Sequence, residues 1–113
     1  RCVDERELQA ALAVALDALA GAGDVHGYSA EHRLDTKSRL DFMVWTAADV
    51  GIAVEIKIDG SPHNVLRQLF RYAEHPAVGG VLLVSTRAKH RGIVPETIMG
   101  KPAACLTLSD YLL

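Results

Sequence analysis

Ile52-Ala53-Val54-Glu55-Ile56-Lys57-Ile58 has the composition of a buried strand, apolar and rich in β-branched residues. It also carries an acid and a lysine two residues apart. Strand side chains alternate between faces, so Glu55 and Lys57 share one face, while Val54, Ile56 and Ile58 face a core. Two charges on one side of a mostly buried strand are costly unless they pair or bind something. One reading is a structural ion pair at a sheet edge. The other is a metal-dependent active site.

Working outward, the segment 40–45 reads as the preceding strand, with Leu40, Phe42 and Val44 on one face and Arg39, Asp41 and Met43 on the other. Ala47-Ala48-Asp49-Val50-Gly51 reads as the hairpin loop between the two strands. A first strand spans 28–34, and the polar turn Asp35-Thr36-Lys37-Ser38 follows it. Near the start of the chain, Asp4 caps a helix and Glu7 stands at the capping-box position. That helix carries Leu8, Leu12, Ala15, Leu16 and Leu19 as an apolar stripe, and Gly21-Ala22-Gly23 ends it.

Downstream, Ser61-Pro62 starts a second helix, with Val65, Leu66, Leu69, Phe70 and Ala73 as its buried stripe and His75-Pro76 as its end. The run 79–85 is a strand apolar enough to be buried on both faces. Residues 86–91 form a basic loop, 95–99 a short helix and 103–108 a last strand, and Ser109 caps a terminal helix. The predicted order is α-β-β-β-α-β-α-β. This is a mixed α/β (α+β) architecture, with a central sheet flanked by helices.

The 113 residues and net charge of −2 fit one globular domain, 1–113, that is not a polycation. Nucleic-acid binding therefore needs a local basic patch, or cations that offset the carboxylates. Cys2 and Cys105 fit no zinc spacing and no disulfide framework, which points to a reducing, cytoplasmic setting. The longest apolar run, 10–16, is too short to span a bilayer, so no membrane partner is expected. The chain opens on Arg1 rather than methionine, which leaves open that it is part of a larger chain.

Hairpin pairing brings neighbouring strands to about 5 Å, so Asp41 and Glu55 can converge on one hard cation. Lys57, one pleat along, can approach a phosphate or a water as a point charge. Two acids and a lysine on adjacent strands suit metal-assisted phosphodiester hydrolysis.

Asp41 … Glu55-Ile56-Lys57 resembles the PD-(D/E)XK nuclease motif, which belongs to the restriction-endonuclease-like fold. Gln68-Leu69-Phe70-Arg71-Tyr72 resembles the Gln-hydrophobic-x-x-Tyr helix motif of the RecB-type branch. Glu5-Arg6-Glu7-Leu8 is similar to the opening helix of Holliday-junction resolvases, where an early helical glutamate joins the metal site. The resemblance covers nearly the whole chain, with one departure: Leu40 stands where the motif has proline. It implies a DNA endonuclease or exonuclease that leaves 5′-phosphate ends. Asp41, Glu55 and the Ile56 carbonyl would hold Mg²⁺, with Mn²⁺ able to substitute, and Glu5 would be a weaker ligand. Lys57 would position the attacking water, and Gln68 would orient that water or a phosphate. Apart from the resemblance, the basic residues Arg71, Arg87, Lys89 and Arg91 are either a solvated surface or phosphate contacts for DNA, Arg39 either pairs with Asp41 or contacts DNA, and Tyr72 would join the substrate-binding side.

Simpler readings stand beside these. Acids in a first helical turn favour the helix dipole, which accounts for Glu5 and Glu7 without catalysis. Gln68 and Tyr72 lie one turn apart and could be ordinary helix surface. The five histidines show no ligand spacing. Two rival functions remain: a catalytically silent nuclease fold acting as a nucleic-acid-binding or regulatory module, and an unrelated α/β domain with a Glu55–Lys57 ion pair. Junction resolution would need a homodimer, for which the strand 79–85 or Trp45 could supply an interface. Restriction-type cutting, repair and recombination are equally compatible with the sequence.

Overall fold

The structure, a computed structural model, describes residues 4–108. Helix α1 (Glu5–Gly21) opens on a capping box, with the Asp4 side chain and Glu7 satisfying each other's backbone N–H groups. Strands β1 (Val25–Arg33), β2 (Arg39–Thr46) and β3 (Gly51–Lys57) follow as an antiparallel meander. Helix α2 (Pro62–Ala73) begins at Ser61, whose side chain accepts the Asn64 N–H, and crosses over to β4 (Gly80–Ser85), parallel to β3. After the short helix α3 (Ala88–Arg91) come β5 (Thr97–Ile98) and β6 (Lys101–Thr107). The six strands lie in the order β1-β2-β3-β4-β6-β5. The architecture is a mixed α/β sheet with helices packed on both faces, as the pattern of elements predicts.

Each face has its own core. On the α1 side, Leu8 and Leu16 pack against Phe42, Val44, Val54, Ile56 and Val84. On the α2 side, Val65, Leu69, Tyr72 and Ala73 pack against Leu40, Met43, Ala53, Val81 and Leu83. The stretch 52–58 therefore alternates as its sequence implies. It lies inside the sheet between β2 and β4, not at an edge. In the same topology β4 is paired on both sides, with β3 and β6, so the strand 79–85 offers no free edge for an interface.

Several expectations need correction. Phe70 is 38% exposed rather than part of the buried stripe of α2, and Tyr72 takes the inward place at 2% exposure. The basic run is not all loop, since 88–91 forms α3. Residues 95–99 form no helix. Instead, Met99 and Gly100 both have positive φ, 54° and 75°, and close the hairpin in which Thr97 and Ile98 pair with Pro102 and Lys101. Two consecutive positive-φ residues match the twist of such a tight turn. The terminal helix capped by Ser109 lies outside the described residues.

The face assignment in β2 also breaks, next to the site. Leu40 and Met43 fall on the α2 side, but Phe42 and Val44 face α1. β2 and β3 pair from Trp45↔Gly51 to Phe42↔Val54, and the pairing stops there. On the other flank, β1 pairs Ala30↔Phe42 and His32↔Leu40, which sets Glu31 opposite Asp41. Glu31 has a left-handed φ of 47°, an irregularity in the strand directly across from the acid.

Candidate active site

Where β2 parts from β3, the Asp41 side chain takes over the role of the missing ladder. Its Oδ2 accepts the Ile56 N–H at 2.7 Å, and its Oδ1 accepts Nε2 of Gln9, on α1, also at 2.7 Å. In an extended strand the N–H and C=O of one residue project to the same edge, so the Ile56 carbonyl faces the same gap. Asp41 thus reaches into the sheet from the α1 side.

Glu55 enters from the α2 side and is 5% exposed. Its Oε1 accepts the Tyr72 hydroxyl at 3.0 Å, and Lys57 Nζ lies 3.5 Å from its Oε2. Gln68 Nε2 donates to the Tyr72 oxygen at 2.8 Å, which completes a Gln68–Tyr72–Glu55 chain. The Tyr72 hydroxyl also lies 3.4 Å from the Arg39 carbonyl, which ties α2 to the start of β2. Burial pushes the Glu55 carboxyl up to about 7, and the nearby Asp41 charge adds to the shift. Lys57 and the Tyr72 hydrogen bond oppose this only in part. Burial raises the Tyr72 hydroxyl as well, and the charge and hydrogen bond of Glu55 raise it further. Tyr72 is therefore a neutral donor at any working pH.

The structure gathers Glu55, Lys57, Gln68 and Tyr72 on the α2 side and joins Asp41 to them only through the Ile56 N–H, so the two acids enter from opposite faces of the sheet and not from one, as the sequence pattern suggests. Tyr72 is a buried prop for Glu55, with no surface for DNA. Gln68 donates its amide N–H to the Tyr72 hydroxyl. Glu5 is not gathered with the two acids: among the described residues, no three His, Cys, Asp or Glu side chains lie close enough to hold one ion. The α1 side chain that touches Asp41 is Gln9, one turn further along the same helix face, a rise of about 6 Å. Arg39 makes no ion pair with Asp41, and both it and Arg71 are exposed.

The basic segment is anchored to the loop that follows β3. Arg87 Nε donates to the Ile58 carbonyl at 2.7 Å, Lys89 lies 3.3 Å from Asp59, and Arg91 Nε lies 3.4 Å from Thr107 Oγ1. Sequence reading also missed the centre of this anchor, His90, which is fully buried. Its Nδ1 lies 2.7 Å from Ser85 Oγ, and its Nε2 lies 3.0 Å from the Gly60 carbonyl. Since Nε2 faces a carbonyl it carries the proton, and Nδ1 then accepts from the Ser85 hydroxyl. Both ring nitrogens are occupied, so this buried pair is structural.

No family model matches the sequence, and no curated protein does. Among solved structures, the chain is similar to the small subunit of the heterodimeric restriction endonuclease R.BspD6I, with 16% identity and a TM-score of 0.47. The match covers 82% of this chain and 59% of that one, so the chain spans about six-tenths of that subunit's length. Among the described residues, no helix is long and apolar enough to cross a membrane.

Proposed function

We propose that this chain is a nuclease domain of the PD-(D/E)XK type, hydrolysing DNA phosphodiester bonds with Mg²⁺. The observation that carries the reading is the Asp41 carboxylate, 2.7 Å from the Ile56 N–H in the gap between β2 and β3. That bond puts it beside the buried Glu55 and within the electrostatic reach that raises the Glu55 carboxyl.

The donor set fits a hard divalent cation. Asp41, Glu55 and the Ile56 carbonyl supply only oxygens. Each carboxylate oxygen engaged by Gln9, Ile56 or Tyr72 accepts one hydrogen bond and keeps a lone pair. A buried Glu55 carboxylate, whose ionisation burial and the nearby Asp41 charge disfavour, is relieved by a positive ion. When bound, the ion supplies Lewis acidity toward water and phosphate.

The rest of the chemistry belongs to the chain. Lys57, 26% exposed in its side chain, offers an ammonium to the scissile phosphate from the face shared with Glu55. Tyr72, backed by Gln68, holds Glu55 in place. Arg39 and Arg71 are open to solvent and suited to backbone phosphates, and the anchored segment with Arg87, Lys89 and Arg91 is the further phosphate-binding candidate.

The test is cleavage of linear, single-stranded, flapped and four-way DNA with Mg²⁺, by the native chain and by the Glu55→Ala and Lys57→Ala variants. Cleavage by the native chain and its loss in both variants is expected. Equal cleavage by all three overturns the assignment.

A further inference from the structure

Gln9 is a polar group in direct contact with the proposed site that the reading above leaves without a role. It lies on the face of α1 that carries the buried Leu8 and Leu16 and is itself only partly exposed. Its amide crosses from helix to sheet to donate to Asp41 Oδ1 at 2.7 Å. The other oxygen of the same carboxylate is held by the Ile56 N–H, also at 2.7 Å. These two donors come from different elements and fix both the rotation of the carboxylate and its position. Asp41 needs this, because the β2–β3 pairing has ended at Phe42 and only β1 still pairs with that stretch. The bond lies at the wall of an open cleft of about 300 Å³ between α1 and β1–β2, also lined by Arg6, Ala13 and Glu31. Without the amide, Asp41 has room to turn out into that cleft.

We infer that Gln9 is a positioning residue that holds Asp41 in the orientation needed to bind the divalent cation. The inference rests on the nuclease reading, since it concerns the same ion. A donor behind a ligating carboxylate orients it, and losing such a donor typically costs 10–100-fold in metal affinity. Gln9 also serves better than an acid would. A second carboxylate at this distance would repel Asp41, whereas the amide donates without adding charge.

The experiment is calorimetric titration of the full chain with Mn²⁺, without DNA, for the native protein and for Gln9→Met, Glu5→Gln and Glu55→Gln. Melting in EDTA accompanies each titration. Methionine keeps the length and apolar stem of Gln9 and removes only its amide, so Gln9→Met should melt like the native chain. It should bind Mn²⁺ about tenfold more weakly. Glu5→Gln should bind as the native chain does, and Glu55→Gln should not bind. Native affinity in Gln9→Met, with binding still lost in Glu55→Gln, overturns the role of Gln9 and leaves the nuclease reading standing. Absence of saturable Mn²⁺ binding by the native chain overturns both. A loss in Glu5→Gln alone returns the α1 contribution to Glu5 and overturns the inference.

Discussion

Replacing Glu55 by glutamine is expected to stabilise the metal-free protein while disabling the proposed site. Glu55 is 5% exposed, and its carboxyl is pushed from 4.5 to about 7. Between those values the folded chain holds a proton that the unfolded chain has released. Stability therefore falls as pH rises from about 4.5 to about 7, then stays at its lower level. The rise from 4.5 to about 7, at about 1.4 kcal/mol per pH unit, amounts to about 3.5 kcal/mol. Glutamine keeps the shape, and its carbonyl can still accept the Tyr72 hydroxyl. Lys57, which loses its partner, is exposed enough to be rehydrated. In EDTA at pH 8, Glu55→Gln should therefore exceed the native chain by up to about 3.5 kcal/mol, a rise of up to about 14 °C in Tm for a domain of this size. Urea unfolding from pH 5 to pH 8 is the assay. The native chain should lose stability across the window, and the variant should not. A native profile that is flat or rising there, or a variant less stable than the native chain at pH 8, refutes the reasoning.

Tyr72→Phe removes the hydroxyl shared by Glu55 and Gln68, so it should cost about 1–3 kcal/mol at pH 8 by denaturant unfolding and raise the Glu55 carboxyl further. Ser85→Ala leaves the fully buried His90 Nδ1 without its donor and should also cost about 1–3 kcal/mol, measured the same way. On α2, Leu69→Ala should cost about 2–5 kcal/mol, and Phe70→Ala at the neighbouring, 38% exposed position should cost clearly less by the same denaturant unfolding. Gly51→Ala should destabilise strongly in a melting assay, because a Cβ there would lie 2.7 Å from the Ala77 carbonyl oxygen, which belongs to the backbone and cannot swing aside.

What was legible in the sequence is what depends on short-range periodicity. The alternation of 52–58 fixed which side Glu55 and Lys57 take, and the Asp4 and Ser61 caps located both long helices. The orientation of Asp41 was not legible, because it depends on where β2 stops pairing with β3 and not on the residues of β2 alone. Gln9 left a readable signal, being a polar residue beside Leu8 on the apolar side of α1 and one turn from Glu5. His90 was hidden inside a basic run, since its partner, the Gly60 carbonyl, lies 30 residues away. The β5–β6 hairpin was missed because Met99 adopts a left-handed conformation that methionine seldom takes.

The account depends on Asp41 and Glu55 acting on one ion from opposite faces of the sheet. Anomalous diffraction from crystals of the native chain grown with Mn²⁺ tests this most directly. The account predicts a single strong peak in the β2–β3 gap, in contact with both carboxylates and with the Ile56 carbonyl. A gap with no peak, or a peak that touches only one of the two acids, contradicts it.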